Sequence, residues 1–281
     1  MKPLTVAGGA VLAWASLIEP RRLVTVRRTL HLPRWPTAVD GLRVGVLSDL
    51  HAGAPHAGRQ AIARAVERLN DEAPDVMLLL GDFTDAHPVW GGRVPPKAIA
   101  AELANLRPPL GTYAVLGNHD WKRAGFSMWH ALRDVGVEVL ENRAAKAGDV
   151  YIAGLADLRS RRPDLPRALK DVPPDAPVIL LSHDPDVFPY VPARVALTLS
   201  GHLHGGQIAI PVLRLPALPS RYGERYARGH VVEESRHLYV TSGLGTSGLP
   251  IRLFRPPEIV ILALRTGQNG APASQEPRPD R

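Results

Sequence analysis

The 281 residues are 45% hydrophobic and 22% charged, which suits a chain that buries a large core and excludes a disordered or collagen-like polymer. There is no cysteine, so a disulfide framework, a thiol nucleophile and a thiolate metal site are excluded, and any metal must be held by His, Asp, Glu or Asn. The formal charge of +7 is uneven: in residues 1–36 six basic residues (Lys2, Arg21, Arg22, Arg27, Arg28 and Arg34) stand against Glu19 alone, which leaves only +2 for the rest of the chain. Positive charge beside an apolar segment points to a membrane surface, whereas a nucleic-acid enzyme would carry it around its cleft.

Leu4 to Ile18 has no charge and, apart from Thr5 and Ser16, is apolar. Fifteen helical residues reach about 22 Å, short of the roughly 30 Å hydrocarbon core. A signal peptide cleaved near Ala13-Trp14-Ala15 would have a weak positive start, and a twin-arginine signal would need Arg21-Arg22 before the apolar run instead of after it. Residues 1–36 are therefore read as an uncleaved, partly inserted membrane-associating segment with its arginines at the headgroups. On a bacterial inner membrane the positive-inside rule then places the rest of the chain on the cytoplasmic side.

Leu23–Leu32 alternates like an extended strand, and Pro33, Pro36 and Asp40-Gly41 punctuate the entry to one catalytic domain, residues 37–265. Arg43–Ser48 reads as a buried strand ending in Asp49-Leu50-His51. A helix follows over Arg59–Asn70, where Ile62, Ala65, Val66 and Leu69 fall at helical spacing. The strand Val76–Leu80 runs into Gly81-Asp82-Phe83-Thr84-Asp85. A helix over Lys97–Leu106 and a strand over Tyr113–Leu116 deliver Gly117-Asn118-His119-Asp120. The second half adds a helix at Phe126–Val135, strands at Val137–Leu140 and Val150–Ala153, and a helix at Leu165–Lys170. Val178–Leu181 ends in Ser182-His183, and Val195–Leu199 ends in Ser200-Gly201-His202-Leu203-His204. Further strands are expected at Gln207–Ile210, His237–Thr241 and Glu258–Leu264, and the polar tail 266–281 is expected to be disordered. Alternating α/β units of this kind gather ligands at the carboxyl ends of their strands.

Five of the eleven histidines (His51, His119, His183, His202 and His204) come directly after a buried strand. Asp49 and His51 are two apart, as are His202 and His204, so each pair points to one side of an extended chain. Any one of these strand ends would pass for a polar turn; together they offer Asp49, His51, Asp82, Asn118, His183, His202 and His204 as seven oxygen and nitrogen ligands. Two ions sharing one carboxylate use all seven and leave room for water and substrate. Such a pair clamps an in-line displacement at phosphorus.

The blocks Asp49-x-His51, Gly81-Asp82-x-x-Asp85, Gly117-Asn118-His119-Asp120, His183 and Gly201-His202-x-His204 resemble the calcineurin-like metallophosphoesterase superfamily, over about residues 43–204. Gly205-Gly206-Gln207, Thr241–Thr246 and Pro256–Ile259 resemble its bacterial membrane-associated phosphodiesterase branch, which includes a UDP-2,3-diacylglucosamine pyrophosphatase. The resemblance implies an α/β fold, a two-sheet β-sandwich flanked by helices. It implies one metal on Asp49, His51, Asp82 and His204 and a second on Asp82, Asn118, His183 and His202. The ions would be Mn, Fe, Zn or Ni, with manganese favoured. It further implies that His119 protonates the leaving oxygen or stabilises the phosphoryl charge, that Asp85 orients His119, and that Asp120 is a supporting brace. The expected activity is hydrolysis of a phosphodiester or pyrophosphate by metal-bound hydroxide, on a lipid- or nucleotide-linked substrate such as UDP-2,3-diacylglucosamine. A broad phosphodiesterase on soluble nucleotides and a non-catalytic scaffold are the alternatives.

Three weaker features complete the expectations. Pro211–Pro219 with Arg214, Arg221, Arg225 and Arg228 forms either a lipid-facing lip or a proline-stiffened loop. His87 and Trp90 are candidate substrate contacts, and Gly243, Gly245 and Gly248 either approach a phosphate or simply turn the chain.

Overall fold

The computed structural model describes residues 2–84, 91–210 and 218–267. The expectations for Asp85, His87 and Trp90, for most of the 211–219 loop including Arg214, and for the tail beyond residue 267 lie outside these.

Twelve strands run in chain order among the described residues: β1 (Val24–Leu32), β2 (Leu42–Leu47), β3 (Val76–Leu79), β4 (Thr112–Ala114), β5 (Glu138–Val139), β6 (Arg143–Ala147), β7 (Val150–Gly154), β8 (Val178–Leu181), β9 (Leu197–Ser200), β10 (Gly229–Glu233), β11 (Arg236–Val240) and β12 (Glu258–Thr266). The helices are α1 (Lys2–Ala13), α2 (Arg59–Asp71), α3 (Pro96–Leu103), α4 (Asn118–Arg123), α5 (Gly125–Asp134) and α6 (Leu165–Ala168). The strands form two six-stranded sheets, ordered β1-β12-β2-β3-β4-β5 and β10-β11-β9-β8-β7-β6. β2, β3, β4 and β5 are mutually parallel, as are β7, β8, β9 and β11.

Period-two alternation sorts each strand between two cores. Val44, Val46, Val76 and Leu78 of the first sheet share one buried cluster with Ile152, Ile179, Leu181, Leu197 and Leu199 of the second. This is the centre of the sandwich. The opposite faces of the same strands, Leu47, Met77 and Leu79, pack with Ile62, Ala65 and Leu69 of α2, Ile99 of α3 and Leu132 of α5. On the far side Val178, Leu180, Leu238 and Val240 pack with Phe188 and Tyr226. The α/β sandwich expected from the sequence is the observed architecture.

Within the N-terminal 36 residues, β1 pairs along its whole length with β12, and Trp35 is buried in the central cluster. Two strands went unread in the sequence, β6 and β10. Both lie at the edges of the second sheet, and their sequences, Arg-Ala-Ala-Lys-Ala and Gly-His-Val-Val-Glu, carry too few apolar residues to announce burial. The strand expected over Gln207–Ile210 does not form; only Ile208 makes an isolated bridge, to Leu253, because His204–Gly206 has just closed a 3-10 turn.

Candidate metal centre

The seven expected ligands stand at strand ends that converge from both sheets. Asp49 and His51 follow β2, Asp82 follows β3, and Asn118 opens α4 after β4; these belong to the first sheet. His183 follows β8, and His202 and His204 follow β9, in the second. All seven are buried, none more than 8% exposed. Three sets of donor atoms, Asp49–His51–His204, His51–Asp82–His119 and Asp82–His183–His202, each fall within 4.8 Å. The sets interlock, since Asp82 and His51 each belong to two of them.

His51 Nε2 is 3.0 Å from His204 Nε2 and 3.6 Å from Asp82 Oδ2. His183 Nε2 is 3.2 Å from Asp82 Oδ2 and 3.2 Å from His202 Nδ1, and His204 Nε2 is 3.6 Å from Asp49 Oδ1. His183 Nδ1 donates to the Leu80 carbonyl at 2.8 Å, which orients the ring with Nε2 aimed inward at Asp82. Asn118 Oδ1 is buried and accepts no hydrogen bond.

The electrostatics of the cluster favour a cation. Burial pushes the Asp49 carboxyl up to about 6 and the His51 imidazole down to about 3. Burial also opposes both charges of the Asp82–His183 pair. The His183 ring nonetheless holds Asp82 well below the usual carboxylate range, and Asp82 holds His183 well above the usual imidazole value. Converging lone pairs, two buried carboxylates and an unsatisfied amide oxygen make an oxygen–nitrogen donor set that fits borderline or hard divalent ions.

Backbone conformation marks the same residues. Asp49 (φ 52°), His51 (φ 44°), Asp82 (φ 53°), His202 (φ 69°) and His204 (φ 52°) all occupy the left-handed region. Non-glycine residues are uncommon there, and such strain collects at functional sites. A φ angle is set by tertiary packing, so the sequence carried no sign of it.

Gly117 lies on extended backbone, with φ −97°, and its need is for space: a Cβ there would lie 2.2 Å from Asp82 Oδ1. His119, the second residue of α4, has its backbone N–H on Asp82 Oδ1 at 2.8 Å, and its ring meets that of His51 edge-on with centroids 4.8 Å apart. Asp120 is fully buried. Its Oδ2 accepts the Gly117 N–H at 3.0 Å and its Oδ1 accepts the Thr84 N–H at 3.0 Å, so it ties the loops after β3 and β4 together. That is the brace expected of it.

Other expectations give way. The N–H groups of Gly243 and Gly245 are bonded to Thr241 Oγ1 and the Asp49 carbonyl, and a Cβ on Gly243 would sit 2.6 Å from Asp49 Cβ; this loop packs under the site and does not cradle a phosphate. Arg225 and Arg228 pair with Glu233 and the buried Glu258. The sequence reading missed Arg252. It is wholly buried and donates to the carbonyls of Ser242, Gly243, Gly245 and Arg255, with Nη2 3.5 Å from His204 Nδ1. An arginine between Ile251 and Leu253 was the one available signal.

Beside the cluster opens a cavity of about 420 Å³. Its walls include Asn118, His119, Lys122 and Arg159 on the polar side and Ile208, Leu218 and Leu249 on the apolar side. The volume is in the range of small-molecule sites.

A sequence model of the calcineurin-like phosphoesterases matches residues 42–206. The uncharacterized metallophosphoesterase YkuE of Bacillus subtilis is 30% identical over 270 residues, covering 94% of this chain and 92% of that protein. The UDP-2,3-diacylglucosamine pyrophosphatase LpxG of Chlamydia trachomatis is 30% identical over 309 residues, covering 89% and 91%. A transmembrane protein with metallophosphoesterase domain from Danio rerio is 32% identical over 278 residues; the match takes in 91% of this chain and 61% of that protein.

Proposed function

Because the chain belongs to the calcineurin-like phosphoesterases, we propose that it hydrolyses a phosphodiester or pyrophosphate bond with two divalent ions. One ion is assigned to Asp49, His51, Asp82 and His204, the other to Asp82, Asn118, His183 and His202. The observation that carries this is the interlocking, through Asp82 and His51, of three donor sets in which every member but the half-buried His119 is buried. When bound, the two ions would lower the pKa of a water towards ~7 and neutralise phosphoryl charge.

The protein's own groups do the rest. His119 stands at the cavity wall against Asp82 and His51, and is assigned the proton donated to the leaving oxygen. Asp85, by family resemblance, orients it. The Asp120 carboxylate on the Gly117 N–H and the His119 N–H on Asp82 Oδ1 hold the start of α4 against the cluster, so His119 keeps its place.

The substrate we favour is lipid- or nucleotide-linked, of the kind that UDP-2,3-diacylglucosamine represents. LpxG, a UDP-2,3-diacylglucosamine pyrophosphatase, supports this, and the apolar cavity wall of Ile208, Leu218 and Leu249 suits an acyl or sugar-lipid group. Within residues 1–36, the apolar stretch ahead of β1 would hold the protein at a bacterial inner membrane, with the catalytic domain on the cytoplasmic side. Val11, Leu12, Trp14, Leu17 and Ile18 are exposed there, 39–61% each. No helix among the described residues is long and apolar enough to cross a membrane, so we assign an interfacial anchor.

Purified protein loaded with manganese should turn over both UDP-2,3-diacylglucosamine and bis(p-nitrophenyl) phosphate. Asn118→Ala and His119→Ala should each lower kcat by about 100-fold or more. Full activity in both variants would refute the site. Turnover of the aryl diester without the lipid nucleotide would remove the substrate and leave the reaction standing.

A further inference from the structure

Arg159 and Lys122 line the same cavity as Asp82, Asn118, His119, His202 and His204, yet neither has a part in holding a metal or moving a proton. Arg159 is fixed along one edge of its guanidinium, which leaves Nη1 and the second N–H of Nη2 to meet a ligand. Its Nε donates to Asp184 Oδ2 at 2.8 Å and its Nη2 donates to the Pro219 carbonyl. Asp184 is itself immobile: it is fully buried, and its Oδ1 accepts the Asp186 N–H at 3.0 Å. The Oδ2 that holds Arg159 lies 3.8 Å from His202 Nε2, so one carboxylate oxygen separates the guanidinium from the metal-ligand cluster. Lys122 stands four residues after Asn118 in α4, on the same helical face. The Asp184 charge offsets Arg159, and Lys122 returns the wall to net positive.

We infer that Arg159, with Lys122 on the same cavity wall, is a binding subsite for a second phosphoryl group, so that the site selects a diphosphate diester over a simple phosphodiester. The inference rests on the hydrolytic reading of the metal centre and deepens it. A simple phosphodiester brings a single negative charge, which two divalent ions and His119 already meet. A diphosphate diester brings a second anionic group directly beside the first, and the planar N–H fork of an arginine matches phosphoryl oxygens. When water adds to the first phosphorus, the bridging P–O bond breaks and its electron pair leaves with the second phosphoryl group. Each of the two monoester products keeps one hydrogen of the water. A cation fixed at the second group therefore binds the substrate and meets charge that grows as the bond breaks. The competing role is purely structural, with Arg159 doing no more than joining the 157–160 turn to Pro219.

The test uses two probes that differ by one phosphoryl group, bis(p-nitrophenyl) phosphate and P1,P2-bis(p-nitrophenyl) diphosphate, on the manganese-loaded full chain. The wild type should favour the diphosphate in kcat/KM by about tenfold or more. Arg159→Ala should cut that preference at least tenfold, Arg159→Lys should restore part of it, and Lys122→Ala should cut it by about threefold. An equal loss on both probes, with a lowered Tm and an unchanged preference, would make Arg159 a structural brace and overturn the subsite. So would a wild type with no preference. If the wild type hydrolyses neither probe, the proposed function falls and the subsite falls with it.

Discussion

Asp82 receives the backbone N–H of His119, lies within reach of His51 and His183, and adopts a φ of 53° to do so. An L-residue in that region costs roughly 1 kcal/mol or more. Five of the seven expected ligands are held this way, so several kcal/mol of backbone strain is retained at one place. The glycines are what let the loops close on it. Gly117→Ala should displace Asp82, because the new Cβ would start 2.2 Å from its Oδ1. The expected outcome is a bound-metal content below two per chain by elemental analysis, with activity reduced about tenfold or more. A fully loaded, fully active Gly117→Ala would show that Asp82 does not depend on that contact. Most of the chemistry at this scale was legible, because His and Asp immediately after buried strands have no packing role. Arg252 and Glu258 were not legible. Their meaning lies in whom they meet: Glu258 accepts from Thr241 Oγ1 and the Ser242 N–H, while Arg252 gathers four carbonyls under the site.

Among the elements, the parallel strands were read correctly since each is a short run of apolar residues, buried on both faces, with a polar end. The helix α4 was taken for a turn, because Asn118-His119-Asp120-Trp121-Lys122-Arg123 has no apolar periodicity; it forms on a cap, with Asp120 reaching back to the Gly117 N–H. The N-terminal element shows a second kind of tertiary control. Its end is bonded into the loops around the site: the Ala15 carbonyl accepts from the Arg252 N–H at 2.9 Å, the Ser16 carbonyl is 2.8 Å from His56 Nε2, and the buried Glu19 accepts from the Arg255 N–H at 2.6 Å. Leu17 remains outside this dock, 54% exposed, and Trp14, 39% exposed, meets it through its Nε1–H on Glu19 Oε2 at 2.8 Å. If that face rests on a bilayer, Trp14→Ala/Leu17→Ala should weaken binding to anionic phospholipid vesicles by about tenfold or more in a sedimentation assay, given 1.5–3 kcal/mol for each large apolar side chain buried. Binding equal to that of the wild type would assign the exposed face to something other than lipid.

At the scale of the whole molecule, the candidate metal centre spans the seam of the sandwich. Asp49, His51, Asp82 and Asn118 come from the first sheet, and His183, His202 and His204 from the second. Below the centre the two sheets are joined by a continuous apolar cluster, but at this end the groups that meet are buried carboxylates and imidazoles. Asp82 and His183 hold each other's charge across the seam, but burial lifts Asp49 to about 6 and depresses His51 to about 3, so these two gain from a cation. Ions that bind only the folded arrangement therefore stabilise the joint between sheets as well as the chemistry. At about a thousandfold excess over its Kd, one ion contributes roughly 4 kcal/mol, and 1 kcal/mol moves Tm by about 2–4 °C in a chain approaching this size. Stripping both metals with a chelator should thus lower Tm by about 15 °C or more, and restoring manganese should recover it. His183→Ala and Asp49→Ala, each at one of the two ions, should each abolish about half of that manganese-dependent rise. A chelator-treated protein that melts at the unchanged temperature would mean that the sandwich holds its seam closed unaided, and that the strain at Asp49, His51 and Asp82 is borne by packing alone.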